Sequence, residues 1–162
     1  MANIFHATVQ IGNLASIEIS TQGTDTFIGQ HSVIDDFVKI KHVGGNGNIT
    51  IGEFVYINSG TVIYSGNGVT IGNNVLIGPG CNIVPVNHKF NEKDILIRLQ
   101  GFQLSKGGII IENDVWLGAN VTILDGSIIR NGCIIAANSL INGETEEFGI
   151  YAGSPAVKIK SR

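Results

Sequence analysis

His88 stands in the stretch PVNHKF, residues 85–90, where a chain of otherwise regular spacing breaks its pattern. An imidazole takes a proton near neutral pH, so a histidine held at the foot of such a break is a candidate general base. The remaining histidines, His6, His31 and His42, fall among irregular or corner residues, where a solvated or hydrogen-bonded role is expected, with lining of a neighbouring subunit's cleft as the alternative for His31. Cys81 and Cys133 occupy a slot that elsewhere holds valine or serine, and neither belongs to a C-x-x-C pair. Both read as small buried side chains rather than nucleophiles. Lys158, Lys160 and Arg162 crowd positive charge into the tail YAGSPAVKIKSR, a pattern equally typical of a solvated terminus. Trp116, the only tryptophan, either covers an apolar edge or lines a site.

A repeat sets where these residues lie. From Ile111 the chain divides into sixes: IENDVW, LGANVT, ILDGSI, IRNGCI, IAANSL, INGETE. The first position holds Ile111, Leu117, Ile123, Ile129, Ile135 and Ile141; the fifth holds Val115, Val121, Ser127, Cys133 and Ser139. Upstream the rhythm gives Ile28, Ile34, Ile40, then Ile51, Ile57, Ile63, then Ile71, Ile77, Ile83, with Ile11 and Ile17 as a less regular start. Six matches neither a helix nor a plain alternating strand. It fits a short strand and a turn, with three hexads forming a coil of about eighteen residues and coils stacking as a solenoid. Five full coils and a partial amino-terminal one are expected, with aliphatic ladders inside a triangular prism. Gly52, Gly72, Gly78, Gly118, Asn113 and Asn131 are expected to take positive φ at the corners. The Gly/Asn-rich inserts HVGGNGN and YSGNGV read as turns thrown outward. The register breaks after Ile83 and returns at Ile109 to Ile111, leaving a protruding loop over about 84–108. Loops of that length are usually functional or disordered. Its ILIRLQGF run is too apolar for a solvated tail and should pack over a neighbouring surface. One domain over 1–162 is expected, ending in a short tail at 149–162.

The 162 residues carry a net charge of −3, which offers no basic face for nucleic acid or an anionic membrane. Charged residues are only 14%, as expected if much of the surface is hidden against copies of the same chain. No apolar run reaches the roughly 18 residues of a membrane span, and MANIFHATVQ lacks the pattern of a signal peptide, so a cytoplasmic location is expected.

The hexads, QGFQLSKGGIIIENDVWLGANVTIL and YAGSPAVKI closely resemble the hexapeptide-repeat acetyltransferases, in the sugar O-acetyltransferase branch. The resemblance covers roughly Gly29 to the end and implies an all-β, left-handed parallel β-helix. It implies transfer of acetyl from acetyl-CoA to a hydroxyl of a sugar or saccharide-like acceptor. His88 would be the general base, Asn58 would lie near the acceptor hydroxyl, and no metal would be needed. It places coenzyme A beside Trp116, Gly118 and the Ala119 N–H, then Ala137, with Lys158 and more weakly Lys160 at the phosphates. It also implies a homotrimer with sites between subunits. Where relatives have an acidic residue before the histidine and a second histidine two residues after it, this chain has Asn87 and Phe90. A backbone carbonyl is then expected to orient the ring. Gly143 replaces a frequent lysine. Antibiotic acetylation and amino-sugar N-acetylation are the alternative acceptor readings, and a non-catalytic β-helix scaffold is the remote one. A three-histidine zinc site is not offered, since His31, His42 and His88 include no close pair near the loop.

Overall fold

In the computed structural model, which describes residues 2–162, the chain winds into a left-handed parallel β-helix. Three sheets, of six, eight and six strands, form its faces, parallel throughout except for the last strand of the second. Each coil gives one short strand to the first, second and third sheet in turn. The opening coil uses Asn3–Phe5, Gln10–Ile11 and Ser16–Ile17, and the last uses Ile128–Ile129, Ile134–Ile135 and Leu140–Ile141. There are thus six coils with all three strands, where a partial first coil was expected. Phe5 accounts for the difference. It pairs with Ile28 in register and precedes Ile11 and Ile17 at the same six-residue spacing, but it is aromatic where the other rungs are aliphatic.

Rungs align coil on coil. On the second sheet Ile34, Ile57, Ile77, Leu117 and Ile135 follow one another in register, all wholly buried. The third sheet repeats this with Ile40, Ile63, Ile83 and Ile123. Burying one such side chain is worth about 1.5–3 kcal/mol, and here nearly all of that comes from the adjacent coils.

Corner geometry corrects one expectation. Gly52, Gly72, Gly78, Gly118, Asn113 and Asn131 do not take positive φ; the fourth residue of the hexad does, as in Phe54, Asn74, Gly80, Asp114 and Asn120. Second-position glycines serve close approach between coils instead. A Cβ on Gly78 would lie 2.7 Å from the Ala119 nitrogen, and one on Gly118 2.6 Å from that of Ala137. Third-position asparagines cap the neighbouring coil: Asn113 Oδ1 accepts from the Asn73 N–H at 2.7 Å.

All the inserts gather at the third-to-first corner, including the long loop between Asn82–Val84 and Ile109–Ile111. Residues 149–162 form more than a tail. Strand Gly149–Gly153 extends the second sheet in parallel, and Ala156–Ser161 returns antiparallel beside it. Tyr151, 8% exposed, continues the Ile135 column and closes that end of the core.

Candidate active site

Small residues and bare backbone mark the second-to-third corner. Asn58, Gly78, Gly118 and Ala136 follow their second-sheet strands in successive coils. The first three donate main-chain N–H groups to Ile77, Leu117 and Ile135 at 3.0, 2.8 and 2.8 Å. One residue further along, the N–H groups of Ala119 and Ala137 make no hydrogen bond among the described residues. Small side chains leave both reachable, so the corner presents donors to an extended amide-bearing ligand. Asn58 Nδ2 donates to the Ile77 carbonyl at 2.8 Å, which fixes the amide while its Oδ1 makes no hydrogen bond among the described residues. Asn58, Gly118, Ala119 and Ala137 therefore share one corner. Trp116 stands beside it on the outer face of the second sheet, 53% exposed, in line with Leu76 and Ile134.

His88 is elsewhere. It follows the third-sheet strand Asn82–Val84, so the width of the third sheet separates it from the corner that carries Asn58. The loop root is a short antiparallel ladder: His88 bridges Phe102, Lys89 N–H donates to the Gly101 carbonyl at 2.9 Å, and Gln103 N–H to that of Asn87 at 2.8 Å. Asn87 Oδ1 accepts the main-chain N–H of His88 at 2.9 Å. The expected carbonyl partner is not found, and the imidazole makes no hydrogen bond among the described residues. Its ring contact is Phe102, with centroids 4.8 Å apart and planes at 32°. Asp125 secures the returning end of the loop, accepting from the N–H groups of Lys106 and Gly108 at 2.7 and 3.0 Å. At the tip, Gln100 Nε2 donates to the carbonyls of Glu92 and Ile95 at 2.9 and 2.7 Å. Ile95, Leu96, Ile97 and Leu99 remain exposed around the helical turn Ile97–Gln100.

The hairpin cations differ from one another. Lys158 Nζ donates to Glu146 Oε2 at 2.6 Å, and that carboxylate raises the ammonium above its ordinary pKa. Arg162 pairs with Asp114 at 2.7 Å. Lys160 makes no ion pair among the described residues, which leaves it the cation open to an anion. His6 bonds locally to Thr8 at 3.0 Å, and His31 stacks on Phe54 with centroids 5.0 Å apart. His42 is buried, its Nδ1 and Nε2 lying 2.7 and 2.9 Å from the hydroxyls of Thr24 and Thr26. Burial lowers its pKa, against smaller opposing effects of Glu18 and Asp25. Both cysteines are buried, and burial raises the Cys81 thiol. No three His, Cys, Asp or Glu side chains converge as metal ligands among the described residues.

Sequence reasoning could name Phe102, with Phe90 and Arg98, as a loop residue shaping the acceptor cleft but not place it against His88, and it did not single out Gly44. A Cβ on Gly44 would lie 2.5 Å from Val86 Cγ1 and 3.3 Å from Phe102 Cε1, so the insert of the second coil packs against the loop root. The glycine-rich insert was visible, but its partner across more than forty residues had no signature.

Residues 108–143 match the family described as Bacterial transferase hexapeptide (six repeats). Over 57 residues the chain is 54% identical to a probable macrolide acetyltransferase of Lysinibacillus sphaericus, covering 35% of this chain and 32% of that one. It is 46% identical over 57 residues to a putative lipopolysaccharide biosynthesis O-acetyl transferase of Escherichia coli K12, covering 35% and 29%. The matched spans cover 29% to 52% of the first curated relatives' own lengths. Among solved structures, a variant of the Bacillus cereus N-acyltransferase AntD is similar with a TM-score of 0.83 at 26% identity, covering 99% of this chain and 83% of that one. That structure holds dTDP-4-amino-4,6-dideoxyglucose and coenzyme A.

Proposed function

We propose, from a chain that carries the hexapeptide repeat of the bacterial transferases, that it moves an acetyl group from acetyl-CoA to a hydroxyl of a sugar or saccharide-like acceptor. One observation carries this reading: the unpaired N–H groups of Ala119 and Ala137, set among small residues on the corner that also bears Asn58. A groove of that kind suits the pantetheine arm, whose amide carbonyls accept from exposed main-chain donors. Trp116 flanks the thioester end. Lys160, with Lys158 beside it on the hairpin, meets the phosphates.

His88 acts as general base. It takes the acceptor's hydroxyl proton as the oxygen attacks the acetyl carbonyl, and a backbone N–H receives the oxyanion. Collapse releases the coenzyme A thiolate, which takes the proton back from the imidazolium. No acyl-enzyme is required. Asn58 lies near the acceptor hydroxyl, whose one proton goes to His88, and offers the hydroxyl oxygen the second proton of its Nδ2.

Because Asn58 and His88 flank opposite edges of the third sheet, one copy's histidine serves the corner groove of the next. The reading is therefore a homotrimer with three shared sites, closed by rotation. Leu96, Ile97 and Leu99 on the loop and Leu76 on the second sheet are the exposed apolar side chains that such packing covers. The supply of acetyl-CoA places the reaction in the cytoplasm.

A second reading keeps the proton chemistry and changes the acceptor. Likeness to AntD over nearly the whole chain favours N-acylation of a nucleotide-linked amino sugar, and the macrolide acetyltransferase relative extends the choice to antibiotics. A thiol-release assay with acetyl-CoA, run across sugars, nucleotide amino sugars and macrolides, separates them. The proposal expects release with a hydroxyl acceptor and a loss of at least about a hundredfold in His88→Ala. Full activity in that variant would remove the general base, and turnover only with amines would establish the second reading.

A further inference from the structure

We propose that Phe102 is the positioning residue for His88, and that Gly44 is the residue that makes room for it there. The inference rests on His88 acting as the base, and it supplies what holds that ring. Neighbours in sequence do not. Asn87 spends its side-chain oxygen on the main-chain N–H of His88, and Phe90 points to solvent, 58% exposed. With no hydrogen bond to either ring nitrogen, nothing polar among the described residues restrains the imidazole.

Phe102 faces it across the antiparallel bridge, where directly opposed side chains project to the same side. Its ring lies 4.8 Å from the imidazole centroid. The opposite support comes from the second coil. Gly44 has φ of 79°, and a side chain there would lie 2.5 Å from Val86 Cγ1 and 3.3 Å from Phe102 Cε1. The β-helix corner thus approaches Val86 and Phe102 too closely for a side chain at Gly44, and Phe102 in turn meets His88, placing the base from the scaffold rather than from the loop tip. An aromatic neighbour also suits the cationic imidazolium formed on taking the acceptor's proton, because a ring face attracts positive charge. Both ring nitrogens stay free, one for the acceptor proton.

Phe102→Leu, Phe102→Tyr and Gly44→Ala are compared with His88→Ala in full-length protein, by steady-state kinetics and by NMR of the histidine Hε1 protons. Phe102→Leu is expected to lower kcat about tenfold to a hundredfold with the acetyl-CoA KM unchanged, as a misplaced catalytic group does. Its His88 Hε1 resonance should move as the ring current of Phe102 is lost. Phe102→Tyr should restore both, and Gly44→Ala should move the resonance and lower kcat in the same direction. An unmoved His88 resonance in Phe102→Leu overturns the positioning role, whatever the kinetics. A moved resonance with unchanged kcat, beside an inactive His88→Ala, overturns its catalytic consequence. Activity in His88→Ala instead overturns the base assignment, and the NMR result still judges the contact.

Discussion

His88 and His42 show the same side chain in opposite settings. His88 is exposed, lacks polar partners for its ring and leans on an aromatic, which leaves both ring nitrogens accessible. His42 is buried between the hydroxyls of Thr24 and Thr26, where the neutral ring gives a donor to one and takes one from the other. Burial lowers the His42 pKa below its ordinary 6.5, with Glu18 and Asp25 opposing. The unfolded chain therefore binds a proton that the folded chain resists, and stability falls as pH drops below about 6.5. Thermal melts at pH 7.5 and 5.5 should show a lower Tm at the acid value, with a smaller drop in His42→Gln; equal drops in the two proteins would contradict this. The break in the repeat exposed His88 to sequence reasoning. The burial of His42 was not legible, because the polar network holding it joins Thr24 and Thr26 across a full coil.

At the scale of the coil, the hexads disclosed nearly all of the fold. Every aliphatic first-position residue from Ile28 to Ile141 is buried in its predicted column, since six-residue spacing turns that position inward once on every face; strands of the first sheet bury a second side chain as well, as Ile49 with Ile51 and Val69 with Ile71. What the pattern concealed was the reason for each corner residue. Glycine at the second position suggested backbone freedom, whereas its cause is the approach of the next coil, a contact set by residues eighteen or more positions away. Phe37 and Phe54 hold positive φ at fourth positions where glycine or asparagine would ordinarily be expected. This distinction has a measurable consequence. In Gly118→Val the added side chain meets the Ala137 nitrogen, 2.6 Å from the new Cβ, and must push the coils apart. Stability should fall by about 1–3 kcal/mol, with a raised KM for acetyl-CoA because the same corner carries the bare N–H groups. A variant with unchanged Tm and KM would contradict both roles of the corner.

Across the whole molecule, the candidate site divides between two edges of the prism. Gly118, Ala119, Ala137 and Asn58 stack on the second-to-third corner, while His88 and its loop leave from the third-to-first corner. Sequence reasoning named these residues from resemblance but could not place them on different corners, since that depends on which strand of the coil each one follows. On the proposed reading the division makes the assembly part of the chemistry, and subunit complementation tests it directly. His88→Ala and Asn58→Ala chains are each expected to be inactive alone. Co-expressed in equal amounts, they should assemble at random into trimers, so that one site of each mixed trimer, and about one in four of all sites, joins an intact His88 to an intact Asn58 of the next copy. Thiol release from acetyl-CoA near a quarter of the wild-type rate is the predicted result. No recovery from verified mixed trimers would mean that both residues of a site come from one chain, and would contradict the shared site.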